Sequence, residues 1–293
     1  MIATIDMTPA ATGADGTDTT VQSGALRARR RRTRLVWLGR VVLLVVVLGG
    51  WQLFTATGVV DKFFFGQPSG IWQSLVHLFT KGTAFGSIWV NLGVTIKEAL
   101  YGFLLGTAAG VVAGLVLGQN RFVADVLGPY IKVLNSIPRI ILGSIFVVAF
   151  GLGTFPKVLL AAVLVFFIVF FNAFQGVREV DQNLVANIRV LGASGLQIAR
   201  HVTVPSALTW IIASLHTAFG FAIIGALVAE VLGAQRGIGL IITTAQGNFD
   251  PDTVFACMLI MAVVTLAAEF LITLLEKRVL SWRPPNRSEA QAI

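Results

Sequence analysis

The amino-acid sequence predicts an all-α membrane protein built from six transmembrane helices. Three observations lead there. Of its 293 residues, 56% are hydrophobic and only 12% charged, with a mean hydropathy of +0.83, whereas soluble chains carry about 25% charged residues. Six stretches stay apolar for about 20 residues, enough to cross a hydrocarbon core about 30 Å thick. Lysine and arginine fall unevenly on the two sides of those stretches, the pattern that sets orientation in a bilayer.

Residues 1–34 read as a basic cytoplasmic tail. Up to about Leu26 it is rich in Thr, Ala and Gly without an apolar period, so disorder is expected there. Arg27, Arg29, Arg30, Arg31, Arg32, Arg34 and Arg40 then flank the first apolar run, 35–56. The basic cluster starts 26 residues in and no small-residue cleavage site follows, which favours a retained helix over a cleaved signal. The other spans are 94–118, 129–150, 157–174, 207–231 and 254–275, so the transmembrane domain covers 35–280 and a second tail takes 281–293. With the N-terminus inside, sixteen Lys and Arg residues lie on the inner side and four outside: Lys62, Lys81, Lys157 and Arg236. Both termini are therefore expected in the cytoplasm. The net charge of +8 becomes topology charge facing anionic lipid, not a nucleic-acid footprint. A single cysteine, Cys257, excludes an internal disulfide and any multi-cysteine metal site. Phe63, Phe64, Phe65 and Trp72 read as an outer interfacial segment.

The second span carries Gly102, Gly106, Gly110, Gly114 and Gly118. Small residues in lipid let helix backbones approach closely. Four residues advance about 400° on a helix of 3.6 per turn, so the groove drifts about 40° at each step. No single straight partner can follow it, and two or more neighbouring helices are expected to fill it. The row reads as packing within one bundle ahead of a dimer seam.

Between spans four and five, residues 176–206 form a connector too long for an idle loop in a compact bundle. Leu184, Ile188 and Leu191 fall on one face of a short helix, which Gly192 can end in a left-handed conformation. Ser194 and Gln197 have the spacing of a capping box for a second short helix, and Pro205 can start the fifth span. The expected shape is a helix–turn–helix knuckle on the inner face, with Arg189 and Arg200 directed at a protein partner or at lipid headgroups.

That connector resembles the loop of ABC importer permeases: Gly192, Val202, Val204 and Pro205 keep the family's spacing, although Ala186, Asn187 and Ile188 replace its Glu-Ala-Ala. TIKEALYGFLLGTAAG, SIPRIILGSIFVVAFGLGTFPK, FNAFQGVREVD, LVAEVLGAQRGIGLII and LEKRVLSW follow one another as in the nitrate/sulfonate/taurine branch. The resemblance covers most of the chain from Thr95 to Trp282. It implies a type I ABC importer permease-like bundle in a bacterial plasma (inner) membrane, working by alternating access. The loop would be a coupling helix seated on a cytoplasmic ABC ATPase dimer, through Arg189, Leu191, Gly192, Ala193, Ser194 and Pro205. A solute-binding protein would dock outside, and a second copy would complete a homodimer, since each chain has one such loop. The implied cargo is a small anion such as a sulfonate, taurine or nitrate, with pyrimidine vitamin precursors as the alternative.

Ionisable groups within a membrane are costly and so are functional candidates. Glu230 ends the fifth span before Gly233, Gly237 and Gly239. It is either a gate or a carboxylate accepting backbone N–H bonds at a broken helix. Arg139 has two readings as well. If the third span starts near Pro129, it lies mid-membrane with Asn135 and Ser136, suited to an anion. If the span starts at Pro138, it is one more inner positive charge. Lys97 and Glu98 are expected to snorkel or pair near the outer end of span two. His77, His201 and His216 have no partner spacing, so no metal site is expected. No G-x-x-x-x-G-K-[ST] occurs, so ATP would act through the partner ATPase and this chain would bind no cofactor. No nucleophile or metal set suggests an enzyme. An ion-coupled secondary transporter is the rival, but neither internal repeats nor a coupled acidic site is apparent.

Overall fold

The computed structural model describes residues 15–279, which divide after Lys62 into two compact units. The expected tail at 281–293 and the first fourteen residues lie outside them. The first unit holds α1 (Asp15–Ala56), whose stretch Arg32–Ala56 is long and apolar enough to cross a bilayer. Its helix also takes in 15–26, where disorder is expected from composition. Ala25, Leu26 and the following arginines are good helix formers that extend the span's helix towards the N-terminus; nothing in the composition of 15–23 explains its inclusion.

The second unit is all helical. After a single turn, α2 (Lys62–Phe65), come α3 (Pro68–Thr80), α4 (Ile88–Gln119), α5 (Arg121–Ser136), α6 (Arg139–Phe150) and α7 (Thr154–Arg178). The short α8 (Gln182–Val190) and α9 (Gly195–Ile198) lead through a π turn (Ala199–Thr203) into α10 (Val204–Leu232). Then follow α11 (Ile238–Gly247) and α12 (Pro251–Val279). Among the described residues five helices are long and apolar enough to span, or six if a bent pair counts as one span.

That bent pair replaces a straight span over 129–150 and favours Pro138, the second of the two starts the sequence allowed. Helices α5 and α6 meet at 83°, broken at Ile137 and Pro138. Proline has no N–H to donate, and the residue before it is pushed out of the helical region; Ile137 is accordingly extended at φ −67°, ψ 127°. By contrast, Pro129 is accommodated inside α5.

Helices α4, α7 and α10 form the core. The glycine row of α4 lies along α7 over its whole length. A Cβ on Gly102 would strike that of Ala161, one on Gly106 the carbonyl of Ala162, and one on Gly114 the Cβ of Ala173. On Gly110 it would come within 2.9 Å of the Phe166 carbonyl, and on Gly118 within 2.7 Å of the Val177 Cβ. One partner thus fills the groove where two or more were expected. The reason is a matching row on α7: Ala161, Val165, Val169, Ala173 and Val177, each buried. A four-residue repeat, longer than 3.6, can be followed by a partner that winds with it.

On the other side of the unit, α3 packs on α12. The Gln67 N–H donates to Asp252 Oδ1 at 2.8 Å, placing a carboxylate at the start of α3 where the helix dipole favours it. A side chain on Gly70 would occupy the position of that carboxylate.

Candidate functional site

The connector folds as a knuckle stopped and restarted by its own sequence. Asp181 accepts from the Asn183 N–H at 2.8 Å and caps α8. At the other end Ala193 N–H donates to Ile188 O at 3.3 Å and Gly192 N–H to Arg189 O at 3.0 Å, the paired bonds of a Schellman ending. That ending requires a left-handed residue, and Gly192 has φ +88°. Ser194 then restarts the chain: its Oγ accepts from Gln197 N–H at 3.3 Å, and Ser194 N–H donates to Gln197 Oε1 at 2.8 Å. Pro205 stands in the first turn of α10, but it does not interrupt the helical turns before it. Residues 195–232 are one apolar helical stretch, and the π turn that precedes Pro205 is the kind of local widening that tolerates a missing N–H.

The knuckle exposes apolar side chains at its tip. Val190 is 86%, Leu191 85% and Leu196 80% exposed, with Arg189 and Ser194 exposed beside them. Val190 and Leu196 are not among the contacts the sequence suggested; two large aliphatic residues flanking the turn were the available signal. Behind the tip, a cavity of about 360 Å³ separates the knuckle from the ends of α4 and α7, lined by Gly118, Val177, Arg189 and Thr203 among others.

Two polar clusters lie at the two broken helices. At the α5–α6 break, Arg139 Nη2 donates to Asn135 Oδ1 at 2.7 Å, and its guanidinium lies 5.7 Å from the centre of the Phe167 ring. Ser136 is turned back on its own helix, donating to Lys132 O at 2.8 Å. Arg139 stands in the first turn of α6, after the break.

At the α10–α11 break, Glu230 is 1% exposed and acts as a staple. Its Oε2 accepts the Gly239 N–H at 2.6 Å and its Oε1 the Thr95 hydroxyl at 2.7 Å. Thr95 Oγ1 in turn accepts the Ile238 N–H at 2.9 Å, and Asn91 Oδ1 the Gly237 N–H at 2.9 Å. Three orphan donors of α11 and the turn before it are thus satisfied by side chains, as a buried helix start demands. Gly237, at φ +122°, and Gly239 leave the room that the Glu230 side chain fills.

Glu98 and Lys157 complete this node. Glu98 does not snorkel: it is 1% exposed, with its Oε1 3.8 Å from Lys157 Nζ. Lys157, counted from sequence as an outer surface charge, is 2% exposed and donates to Leu152 O at 2.8 Å and Gly153 O at 2.9 Å. One buried cation therefore ties α4 to the α6–α7 turn beside two carboxylates. Replacing Lys157 by methionine is expected to cost about 3–5 kcal/mol, the usual penalty for breaking a buried pair. Thermal unfolding in detergent checks this: a large drop for Lys157→Met, partly recovered in Lys157→Arg. An unchanged midpoint would mean the node carries no stability. The histidines hold a further surprise, since His216 Nε2 lies 3.0 Å from Glu276 Oε2 and Nδ1 3.8 Å from Glu269 Oε1, joining α10 to α12. Its partners are too far along the chain for spacing to reveal.

Residues 106–281 match the family of binding-protein-dependent transport system inner membrane components. The chain belongs to that family. It is a membrane permease component, and the part that hydrolyses ATP is a separate subunit. This permease is 32% identical over 259 residues to a Bacillus subtilis protein named as an aliphatic sulfonates transport permease, SsuC, covering 88% of this chain and 92% of that one. It is 28% identical over 259 residues to the riboflavin transport system permease protein RibX of Chloroflexus aurantiacus, covering 86% and 94%. Among solved structures, the MetNI methionine ABC transporter has a chain of the same fold, with a TM-score of 0.51 at 18% identity over 66% of this permease and 93% of that chain. Family membership sets aside the ion-coupled alternative.

Proposed function

We propose that this permease forms the translocation pathway of an ATP-driven importer for a small anion such as a sulfonate, taurine or nitrate. The observation that carries the coupling half of this reading is the knuckle. Val190, Leu191 and Leu196 are exposed on a rigid, doubly capped turn, a shape suited to a groove in a cytoplasmic ATPase dimer. Arg189, Gly192, Ala193 and Ser194 surround the same tip, and Pro205 follows at the base. Each chain supplies one knuckle, so two copies would engage two ATPase subunits and a solute-binding protein would deliver cargo from outside. Both termini would then lie in the cytoplasm.

The anion half rests on the sulfonate relative and on Arg139, whose guanidinium is aligned by Asn135 and suits an oxyanion passing the α5–α6 break. Glu230 serves the pathway by fixing the α10–α11 break. The riboflavin relative supports a second reading, import of a vitamin-like solute. Proteoliposomes carrying the permease, its ATPase and its binding protein separate the two. ATP-dependent uptake of alkanesulfonate or taurine is expected. Uptake of riboflavin alone would transfer the case to the second reading, and uptake without ATP would overturn both.

A further inference from the structure

The end of the bundle nearest the knuckle carries a second cavity. It encloses about 410 Å³ between α4, α5 and α7. One wall is a ladder on α7, in which Phe170 and Phe174, both lining the cavity, stack at 5.9 Å. The ladder ends in Arg178, whose guanidinium lies 4.7 Å from the centre of the Phe174 ring. From Phe170 to Arg178 the wall rises about 12 Å at 1.5 Å per residue. The facing wall is α5, a strongly two-sided helix that presents Asp125, Gly128 and Lys132 to the cavity. The lining is thus mostly apolar, and among its charged residues two cations, Lys132 and Arg178, outnumber one carboxylate, Asp125.

We propose that this cavity binds an anionic membrane phospholipid, its phosphate between Arg178 and Lys132 and the upper part of an acyl chain along the Phe170–Phe174 wall. A guanidinium held over an aromatic ring is restricted in the directions it can present to a phosphate, and basic clefts between membrane helices at a cytoplasmic face suit anionic headgroups. A free inorganic anion would use the cations but leave the aromatic wall without a partner. Gly128 offers a change that spares the charges, since a Cβ there meets nothing within 4 Å and a leucine would project into the acyl volume.

The test is the thermal midpoint of the purified permease in detergent with added phosphatidylglycerol, phosphatidylcholine or sodium phosphate. Phosphatidylglycerol is expected to raise the midpoint by several degrees more than phosphatidylcholine. That excess should fall by at least half in Arg178→Gln/Lys132→Gln and in Gly128→Leu. Equal shifts with both lipids, or a full excess in the variants, would overturn the site. A shift reproduced by sodium phosphate alone would overturn the lipid and leave a free-anion site. Should the double variant fail to fold, Gly128→Leu alone decides between these outcomes.

Discussion

A Gly192→Val permease is expected to insert and fold normally yet lose ATP-driven uptake. The glycine is at φ +88°, and a Cβ there would meet nothing within 4 Å. The penalty is therefore purely conformational. A β-branched residue in the left-handed region is a genuine outlier, costing about 1–3 kcal/mol, paid within one exposed turn. What shifts is the direction of Leu191 and the geometry by which the Schellman turn hands over to the Ser194 cap. Gly192→Asn, which tolerates the left-handed region, should keep most of the uptake. Reconstituted transport, read beside the amount of folded protein, checks both. Full uptake by Gly192→Val would show that the shape of the turn does not matter to coupling.

The largest effect on stability is expected from Gly110→Leu. Its Cβ would lie 2.9 Å from the Phe166 carbonyl and 3.0 Å from the Phe170 nitrogen, main-chain atoms that a rotamer change cannot move. The helices must separate along their densest contact, a penalty above the about 1–3 kcal/mol of ordinary overpacking. Gly93→Leu, on the same helix with open space around its Cβ, is the control. Size-exclusion profiles in detergent should show Gly110→Leu aggregated and Gly93→Leu monodisperse. A monodisperse, stable Gly110→Leu protein would contradict the packing described for α4 and α7.

These two positions also mark what could be read from the sequence. The glycine row stands out because four-residue spacing of the smallest residue is conspicuous in any span. Its partner row, Ala161 to Val177, has the same spacing, yet α7 is apolar on nearly every side and its period is lost in that background. Gly192 and the Ser194 box were legible because turns and caps depend on neighbouring residues. The α5–α6 break stayed open between two starts because two prolines compete for it: Pro129 is absorbed in a helix, and only Pro138 breaks the chain. The buried node was missed for another reason. Glu98 and Lys157 resemble surface charges when each is judged by its own span, and only folding brings them together. A trace was nonetheless present: Asn91, Thr95 and Glu98 extend the face of the glycine row towards the N-terminus of α4, and polar residues on that face meet the bundle interior.

The measurement that most directly tests coupling through the knuckle is a cross-link from a single cysteine at position 191. Cys257, the chain's one native cysteine, is completely buried, so Leu191→Cys supplies the reactive thiol. Treated in membranes with a short bifunctional reagent, the variant should yield one dominant adduct that contains a cytoplasmic ATPase subunit. Its yield should change when ATP is added. A permease that purifies without an ATPase and forms no such adduct would contradict the account.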